Sequence, residues 1–227
     1  MILLLDGDIF VYRYGFAAND SPFPICRSRF EEGLMDLLMF DFPESSDYRG
    51  FLTEGSLNFR DSIAVTAPYK GNRSGNKPVH YDELRQSMVD DYGFEMVEGQ
   101  EADDAIGIAA CELGVNECVI VSLDKDLDMI PGLHYNFVKK IKYSVTSEEA
   151  MKNFYRQLLT GDRVDNIIGL YGIGPVKANK ILEGAVTEKE MYDRVLAAYD
   201  GVESAVLENG QLLWIRRKEN ELWQPPK

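Results

Sequence analysis

The chain has 227 residues, 45% of them hydrophobic, and its 38 acidic and 24 basic side chains give a net charge of −14. This length and apolar content allow one substantial core, or one core with a small lobe. The longest early apolar run, residues 2–5, is too short for a signal peptide or a membrane span. Three cysteines without metal or redox spacing predict a reduced, cytoplasmic protein. Two histidines argue against a histidine-rich zinc site and most histidine-based acid–base mechanisms.

Predicted strands and helices alternate through the first two thirds of the chain. The continuous apolar run at residues 1–5 is typical of a strand buried on both faces of a parallel sheet. Further strands are predicted at residues 62–67, 94–97 and 118–122. Helices are predicted at residues 30–42, 81–92 and 103–113. This alternation predicts an α/β fold with a mostly parallel central sheet flanked by helices.

The last third of the chain is predicted to be helical. Thr146 with Glu149, and Thr187 with Glu190, have the spacing of capping boxes at helix starts. Glycine-bearing turns separate the predicted helices. We therefore predict an α/β core at residues 1–144 and a helical lobe at residues 145–227, together forming one compact unit. Residues 212–227 have no clear type.

Acidic residues recur where predicted strands end, and again within one helical turn. They are Asp6 and Asp8; Glu101, Asp103 and Asp104; Asp124 and Asp126; and Asp162 and Asp165. The carboxyl ends of parallel strands form the crevice where ligands bind. Carboxylates this dense repel one another unless cations lie between them, and oxygen ligands suit two Mg²⁺ or Mn²⁺ ions. Each group alone is equally typical of helix caps or a solvated face, but four groups at element boundaries favour a shared metal site.

Two further segments indicate nucleic acid as the partner. In the loop YKGNR, Tyr69 can stack on a base, while Lys70 and Arg73 can hold a phosphate. The segment GIGPVKANKIL begins at Gly172 and is typical of a helix–hairpin–helix that grips a sugar-phosphate backbone. An exposed basic loop and an ordinary helix-packing corner are the plainer alternatives. The net charge of −14 does not exclude DNA, because without the nine clustered acids it would be −5.

Together these motifs resemble the structure-specific 5′-nucleases, meaning flap endonucleases and 5′→3′ exonucleases, particularly the compact phage-type members. YKGNR, EADD, SLDKDLD, GDRVDN and GIGPVKANKIL occur in the family's order, and the resemblance covers roughly residues 1–185. It implies a PIN-like sheet followed by a helix–hairpin–helix, or helix-3-turn-helix, at about residues 163–183. It also implies DNA with a 5′ end, flap or nick as the substrate, with RNA–DNA hybrid as a further candidate.

The resemblance assigns roles to individual positions. The implied metal ligands are Asp6, Glu101, Asp103, Asp104, Asp124, Asp126, Asp162 and Asp165. Lys70 and Arg73 are the implied contacts to the scissile phosphate. The implied duplex-binding residues of the hairpin, which often holds K⁺ in the family, are Gly172, Gly174, Lys177 and Lys180.

Two departures from the family pattern matter. The family usually has another acid before the basic loop; here the candidates are Glu54 and Asp61, and we favour Glu54. The region corresponding to the helical arch, about residues 70–97, is short, so threading of a single strand is left open. We expect a monomer without an attached polymerase domain, any polymerase partner being a separate chain, with no membrane association.

The sequence therefore predicts a two-metal phosphodiesterase in which divalent ions activate water and Lys70 and Arg73 stabilise the charge on the phosphate. One alternative is a haloacid-dehalogenase-type phosphatase, with Asp6 as nucleophile and Asp8 as acid. That alternative leaves EADD, YKGNR and the glycine turn unexplained. A second alternative is a DNA-junction binding module without catalysis, against which the retained acids argue.

Overall fold

The computed structural model describes residues 1–45, 47–73 and 75–227, with side chains described throughout these ranges except at positions 56 and 57. Within these ranges, six strands form one sheet and two short strands form a hairpin. The strands are β1 (Ile2–Asp6), β2 (Asp47–Asn58), β3 (Glu95–Gly99), β4 (Cys118–Val121), β5 (Gly132–Asn136), β6 (Ile141–Val145), β7 (Gly161–Asp162) and β8 (Ile167–Ile168).

The large sheet has the strand order β3-β2-β1-β4-β5-β6. All neighbours in it are parallel except β5 and β6, which are antiparallel. Because β1 lies between β2 and β4, its residues Leu3, Leu4 and Leu5 are fully buried, which explains the continuous apolar run. The predicted mostly parallel α/β fold is confirmed.

Helices cover both faces of this sheet. The helices in the described ranges are α1 (Gly7–Ala17), α2 (Phe23–Asp36), α3 (Phe59–Ile63), α4 (Tyr81–Tyr92), α5 (Ala102–Leu113), α6 (Ser147–Thr160), α7 (Pro175–Leu182), α8 (Glu188–Ala198) and α9 (Glu203–Leu213). Leu3 and Leu5 pack with α1, α2 and α4, whereas Leu4 packs with α5. In the described residues, no helix combines the length and apolar character needed to cross a membrane.

Helices α6 to α9 share a separate cluster of buried side chains around Phe154 and Tyr155. Both predicted capping boxes are present, at Thr146 for α6 and at Thr187 for α8. Tyr69, from the basic loop, is buried in this same cluster. The basic loop therefore packs on the helices that follow the sheet. The division near residue 144 stays a prediction.

Some predicted elements are wrong. Residues 62–67 do not form a strand: they contain the end of α3 and an irregular segment in which Val65 is 86% exposed. The second strand of the sheet is instead Asp47–Asn58. The helix predicted at residues 30–42 begins earlier, at Phe23, and ends in a π-helical turn, Leu37–Asp41. Helix α4 packs on α1 and α2 with Leu84 and Met88 buried, so the predicted arch contains a core helix.

Candidate active site

A pocket of about 560 Å³ opens where β1, β2 and β4 end. Its acidic wall comprises Asp6, Asp8, Asp61, Glu101, Asp103 and Asp124. Lys70 and Arg73 line the same pocket. The fold brings these residues together from five separate segments, as expected for the carboxyl edge of such a sheet.

Asp6 lies at the floor of the pocket and is 2% exposed. Its carboxylate accepts hydrogen bonds from the Ser122 hydroxyl at 2.6 Å and from the Ile9 N–H at 3.1 Å. Burial raises the pKa of Asp6 to about 7, with the negative charges of Asp8 and Asp124 adding to the effect. Because the Asp6 backbone ends β1 and its side chain caps α1, its position is fixed by both elements.

Asp103 and Asp124 line the same pocket as Asp6. Burial raises the pKa of Asp103 well above its ordinary value, and the charges of Asp6, Asp124 and Glu101 raise it further. The pKa of Asp124 is also raised, first by burial and then by Asp165 and Asp162. The charge of Asp124 therefore interacts both with the acids in the pocket and with those of the GDRVDN segment.

Asp126 and Asp162 form the second part of the acidic cluster. Burial raises the pKa of Asp126 to about 7, and the neighbouring charges of Asp124 and Asp162 act in the same direction. Gln157 of α6 donates to Asp126 Oδ1 at 2.5 Å, while its own Oε1 is buried without a hydrogen-bond partner. Asp162 accepts hydrogen bonds from the backbone N–H groups of Val164 and Asp165.

Lys70 lies between two of the acids. Its ammonium group is hydrogen-bonded to Glu101 and lies 3.7 Å from Asp165 Oδ2. Its backbone has the left-handed conformation, with φ of 54°, and its N–H donates to the Asp165 carbonyl at 2.9 Å. Asn72 also donates to the Arg163 carbonyl, at 2.6 Å. The basic loop is thus fastened to the GDRVDN segment through its backbone and its side chains.

The other two residues of the basic loop behave differently from each other. Arg73 is half exposed and forms an ion pair with Asp165, so it lines the pocket while remaining accessible. Tyr69 is 9% exposed, and its hydroxyl donates to Asp165 at 2.8 Å and to Glu101 at 3.2 Å. The predicted base stacking by Tyr69 does not fit this burial; its hydroxyl instead orients two of the acids.

Two predicted ligands are corrected by the structure. Asp104 is fully buried, points away from the pocket and forms an ion pair with Arg60 at 2.6 Å. Its oxygens are therefore already occupied, in contrast to those of Asp103. Of the two candidates before the basic loop, Asp61 lines the pocket, whereas Glu54 is exposed outside it. Asp61 also accepts from the Asn58 N–H at 3.1 Å as part of the cap of α3.

The glycine turn lies between β8 and α7. Gly172 has φ of 71°, a left-handed conformation that favours glycine, and Pro175 is the first residue of α7. Lys177 and Lys180 are both exposed on α7, and Lys177 Nζ donates to the Gly172 carbonyl at 2.8 Å. The turn's geometry suits the contact with a phosphate backbone that the sequence predicts, and that contact stays a prediction.

The charge balance of the site fits divalent cations. Seven carboxylates interact here, and two basic side chains, Lys70 and Arg73, offset them; the seven are Asp6, Glu101, Asp103, Asp124, Asp126, Asp162 and Asp165. Among the described residues, no group of three or more acidic, histidine or cysteine side chains is arranged to hold a metal ion as it stands. Lys70 occupies the space between Glu101 and Asp165, so cation binding there requires its ammonium group to move aside.

Sequence reasoning missed several residues that shape the pocket. Arg85 of α4 forms an ion pair with Asp8 at 2.8 Å, and Thr53 donates to Asp8 from both its N–H and its hydroxyl. Asn58 donates to Glu101 at 2.8 Å. Ser122 had a detectable signal, because it begins the motif SLDKDLD directly after a buried strand. Arg85 had none, because it is one cation on a helix predicted to be polar.

No family model matches the chain. It is 29% identical over 210 residues to DNA polymerase I of Pseudomonas aeruginosa, covering 81% of this chain and 22% of the relative. It is 28% identical over 140 residues to the exonuclease of Escherichia phage T7, covering 59% of this chain and 46% of the relative. A 5′-3′ exonuclease of Halalkalibacterium halodurans is 29% identical over 146 residues, covering 56% of this chain and 48% of the relative. The chain thus spans less than half the length of each of these relatives.

Two solved structures share the fold over nearly the whole chain. One is the phage T5 D15 protein co-crystallised with metal ions, with a TM-score of 0.71, 16% identity, and coverage of 94% of this chain and 88% of the other. The second is a T5 D15 flap endonuclease variant in complex with DNA and metal ions, with a TM-score of 0.67, 18% identity and the same coverage. This chain therefore has the same fold as these two structures. The named relatives and the shared fold agree with the resemblance of the motifs to 5′-nucleases of phage type.

Proposed function

We propose that this chain is a divalent-metal-dependent 5′-nuclease that hydrolyses phosphodiester bonds at 5′ ends or flaps of DNA. The observation that carries the proposal is the convergence of seven carboxylates and two basic side chains at the carboxyl edge of the sheet, with the pKa of four acids raised by burial and mutual repulsion. Relatives named as exonucleases, and the T5 structures containing metal ions and DNA, support the same activity.

The proposed cofactors are two Mg²⁺ or Mn²⁺ ions. Asp6, Glu101, Asp103 and Asp124 would hold one ion, and Asp126, Asp162 and Asp165 would hold the second beside Asp124. When bound, such ions would neutralise charge on the phosphate and activate water for attack on phosphorus. We also propose K⁺ at the glycine turn of residues 172–174.

The chain's own residues position the substrate and stabilise its charge. Arg73 offers a forked guanidinium to the phosphate, and Lys70 supplies a point charge once it leaves Glu101. Tyr69 and Asn58 keep Glu101 oriented through their hydrogen bonds. The lysines of α7, at positions 177 and 180, would hold the duplex by its backbone, away from the pocket. No described histidine lines this pocket, so we assign no histidine to proton transfer.

Two contacts argue against an aspartyl phosphatase. That mechanism needs Asp8 as a mobile acid, but Asp8 is held by Arg85 and by two donors of Thr53. A binding module without catalysis has no need for so many unneutralised acids.

The proposal is tested on matched 5′-labelled flap, nicked and blunt DNA, with an RNA–DNA hybrid as a fourth substrate. We expect cleavage with Mg²⁺ or Mn²⁺, none with EDTA, and cleavage about 10²–10³-fold slower by Asp103→Asn at equal protein concentration. Glu54→Gln, outside the pocket, is the matched control and should cleave like the wild type. Cleavage that persists in EDTA, or equal cleavage by Asp103→Asn, would refute the proposal.

Product mapping on the same substrates separates exonuclease from flap endonuclease activity. Residues 70–80 form only a short connection. We therefore propose that the enzyme cleaves DNA with 5′ ends or short flaps better than long single strands that would have to be threaded. We further propose action as a monomer in the cytoplasm, with any polymerase as a separate partner. Equal cleavage of long flaps whose 5′ ends are free or blocked would show that threading is not required.

A further inference from the structure

The second aspartate of EADD has a buried environment of its own. Asp104 Oδ2 and Oδ1 accept hydrogen bonds from Arg60 Nη1 at 2.6 Å and Nη2 at 2.9 Å, and both side chains are almost completely buried. The Asp104 carboxylate also accepts from the backbone N–H of Glu101 and of Arg216, each at 3.1 Å. With four donors on its two oxygens, the Asp104 carboxylate has all of its hydrogen-bond acceptor positions occupied, which indicates a structural role.

Arg60 connects this carboxylate to the C-terminal part of the chain. Its Nε donates to the Leu212 carbonyl at 2.8 Å, and its Nη2 donates to the Trp214 carbonyl at 2.9 Å. The guanidinium group thus bridges α3, the start of α5 and residues 212–216, which we call the C-terminal strap. A forked guanidinium can satisfy several acceptors at once, which an ammonium group cannot do in the same geometry.

The C-terminal strap also packs directly on the backbone of α5. A Cβ atom added at Gly107 would lie 2.4 Å from the Arg216 carbonyl oxygen, so this position has no space for a side chain. The Arg216 guanidinium lies 3.7 Å from the centre of the Phe59 ring and donates to Gln100 Oε1 at 3.0 Å. The strap therefore contacts both the residue before Glu101 and the second turn of α5.

We propose that Arg60 and Asp104, braced by the C-terminal strap, are positioning residues that hold Glu101 and Asp103 in place for cation binding. This inference rests on the proposed function. Asp104 follows Asp103 directly and receives the N–H of Glu101, so the ion pair fixes the backbone on both sides of the two pocket acids. Acids that repel one another would move apart without such support. Groups that orient metal ligands typically contribute about 10–100-fold to metal affinity.

The test measures Mn²⁺ affinity by calorimetry and by the Mn²⁺ electron paramagnetic resonance signal, without DNA. The main variant is Arg60→Met with Asp104→Leu, which removes both buried charges together and leaves neither unpaired. We expect its Mn²⁺ affinity to fall about tenfold or more, since the bracing of the pocket acids is lost. Its kcat should fall with little change in KM, and its duplex DNA affinity in EDTA should match the wild type.

Two further variants keep the test decisive. Arg60→Lys keeps the charge but loses the fork, and we expect a smaller loss of Mn²⁺ affinity, about threefold to tenfold on the same scale. If the double variant does not fold, Arg60→Lys alone decides. Arg49→Gln removes an exposed ion pair with Glu95 and is the control, expected to leave Mn²⁺ affinity unchanged.

The outcomes separate the two proposals. If wild-type protein binds Mn²⁺ and the folded variants bind it within twofold of wild type, the positioning role is wrong and the proposed function stands. If wild-type protein binds no Mn²⁺ and cleaves no DNA, the proposed function itself fails. A selective loss of Mn²⁺ affinity in the variants, with DNA affinity retained, supports both.

Discussion

Two neighbouring carboxylates of helix α5 lie in opposite environments. Asp103 faces the pocket, where burial and three other acids raise its pKa well above the ordinary value. Burial acts on Asp104 in the same direction, yet the Arg60 guanidinium holds the pKa of Asp104 below its ordinary value. Both side chains are removed from water, so the presence of a fixed countercharge decides the difference.

This contrast shows how the fold can keep repelling acids together. On the pocket side, unneutralised carboxylates destabilise the metal-free protein. On the opposite side of α5, the ion pair with Arg60 and the C-terminal strap hold the same backbone in place. A buried ion pair of this kind matters because breaking one partner leaves an uncompensated charge. We therefore expect replacement of aspartate by asparagine to affect protein stability in opposite ways on the pocket side and on the Arg60 side of α5.

The largest effect should come from replacing each aspartate by asparagine. Asp103→Asn should reduce cleavage by about 10²–10³-fold, as for other single electrostatic groups at active sites, while leaving the metal-free protein as stable as wild type or more so. Asp104→Asn should lower the free energy of unfolding by about 3–5 kcal/mol, because it leaves Arg60 charged and unpaired. Urea unfolding and cleavage rates measure the two effects. Equal stability of the two variants would contradict the assigned environments.

The two faces should also differ in their pH dependence. Asp6 and Asp126 keep their protons up to pH about 7 when folded, whereas unfolded aspartates lose them near 3.8. Unfolding in this range therefore releases protons, and the metal-free protein should lose stability as pH rises from about 4 to about 7. The Asp104 pair acts below this window, since its lowered pKa contributes stability that is lost only as pH falls below 3.8.

Thermal unfolding in EDTA between pH 5 and 8 measures this effect. We expect a lower Tm at pH 8 than at pH 5, and a recovery when Mg²⁺ or Mn²⁺ is added at pH 8. The variant Asp6→Asn with Asp126→Asn should make the pH dependence shallower because it removes two of the four acids whose pKa is raised. A Tm that rises steadily to pH 8 without metal would mean that these acids are ionised in the folded protein.

The acidic edge could be predicted from sequence because local signals locate it. Residues 1–5 and 118–122 are continuous apolar runs, and acids follow each of them directly. Parallel strands with this pattern bring their ends together whatever the details of the helices. Strand β2 could not be located in this way, because Gly50 and Gly55 interrupt its pattern and residues 62–67 are more strand-like locally.

The different roles of Asp103 and Asp104 could not be predicted from sequence. Both are acids in the first turn of α5, where either suits the helix dipole. What separates them is Arg60, 44 positions away, and backbone groups more than 100 positions away, in a segment with no clear pattern. Such partners can be identified only from the three-dimensional structure, because they are far apart in the sequence.

A smaller effect is expected from Gly107→Ala on the strap side of α5. Its Cβ would lie 2.4 Å from the Arg216 carbonyl, so the strap must shift, at a cost of about 1–3 kcal/mol. Because the same shift disturbs the Asp104 contacts, Mn²⁺ affinity should fall together with stability. Ala109→Gly in the same helix, as a control for helix stability, also removes a buried methyl group and should cost about 1–2 kcal/mol, with little change in Mn²⁺ affinity. A fully stable Gly107→Ala protein would contradict the close packing.

The smallest effect should come from substitutions in helix α7, which belongs neither to the acidic pocket nor to the C-terminal strap. Lys177→Ala with Lys180→Ala removes two exposed cations, so duplex binding in EDTA should weaken, and the salt dependence of its affinity should become shallower by about 2 in log–log slope. Mn²⁺ affinity should stay at the wild-type value, since neither lysine reaches the pocket. Lys189→Ala on α8, where the lysine pairs with Asp193, is the matched surface control and should leave the slope unchanged. An unchanged slope in the double variant would show that the hairpin is not part of the DNA-binding surface. The proposal for the acidic pocket would be unaffected.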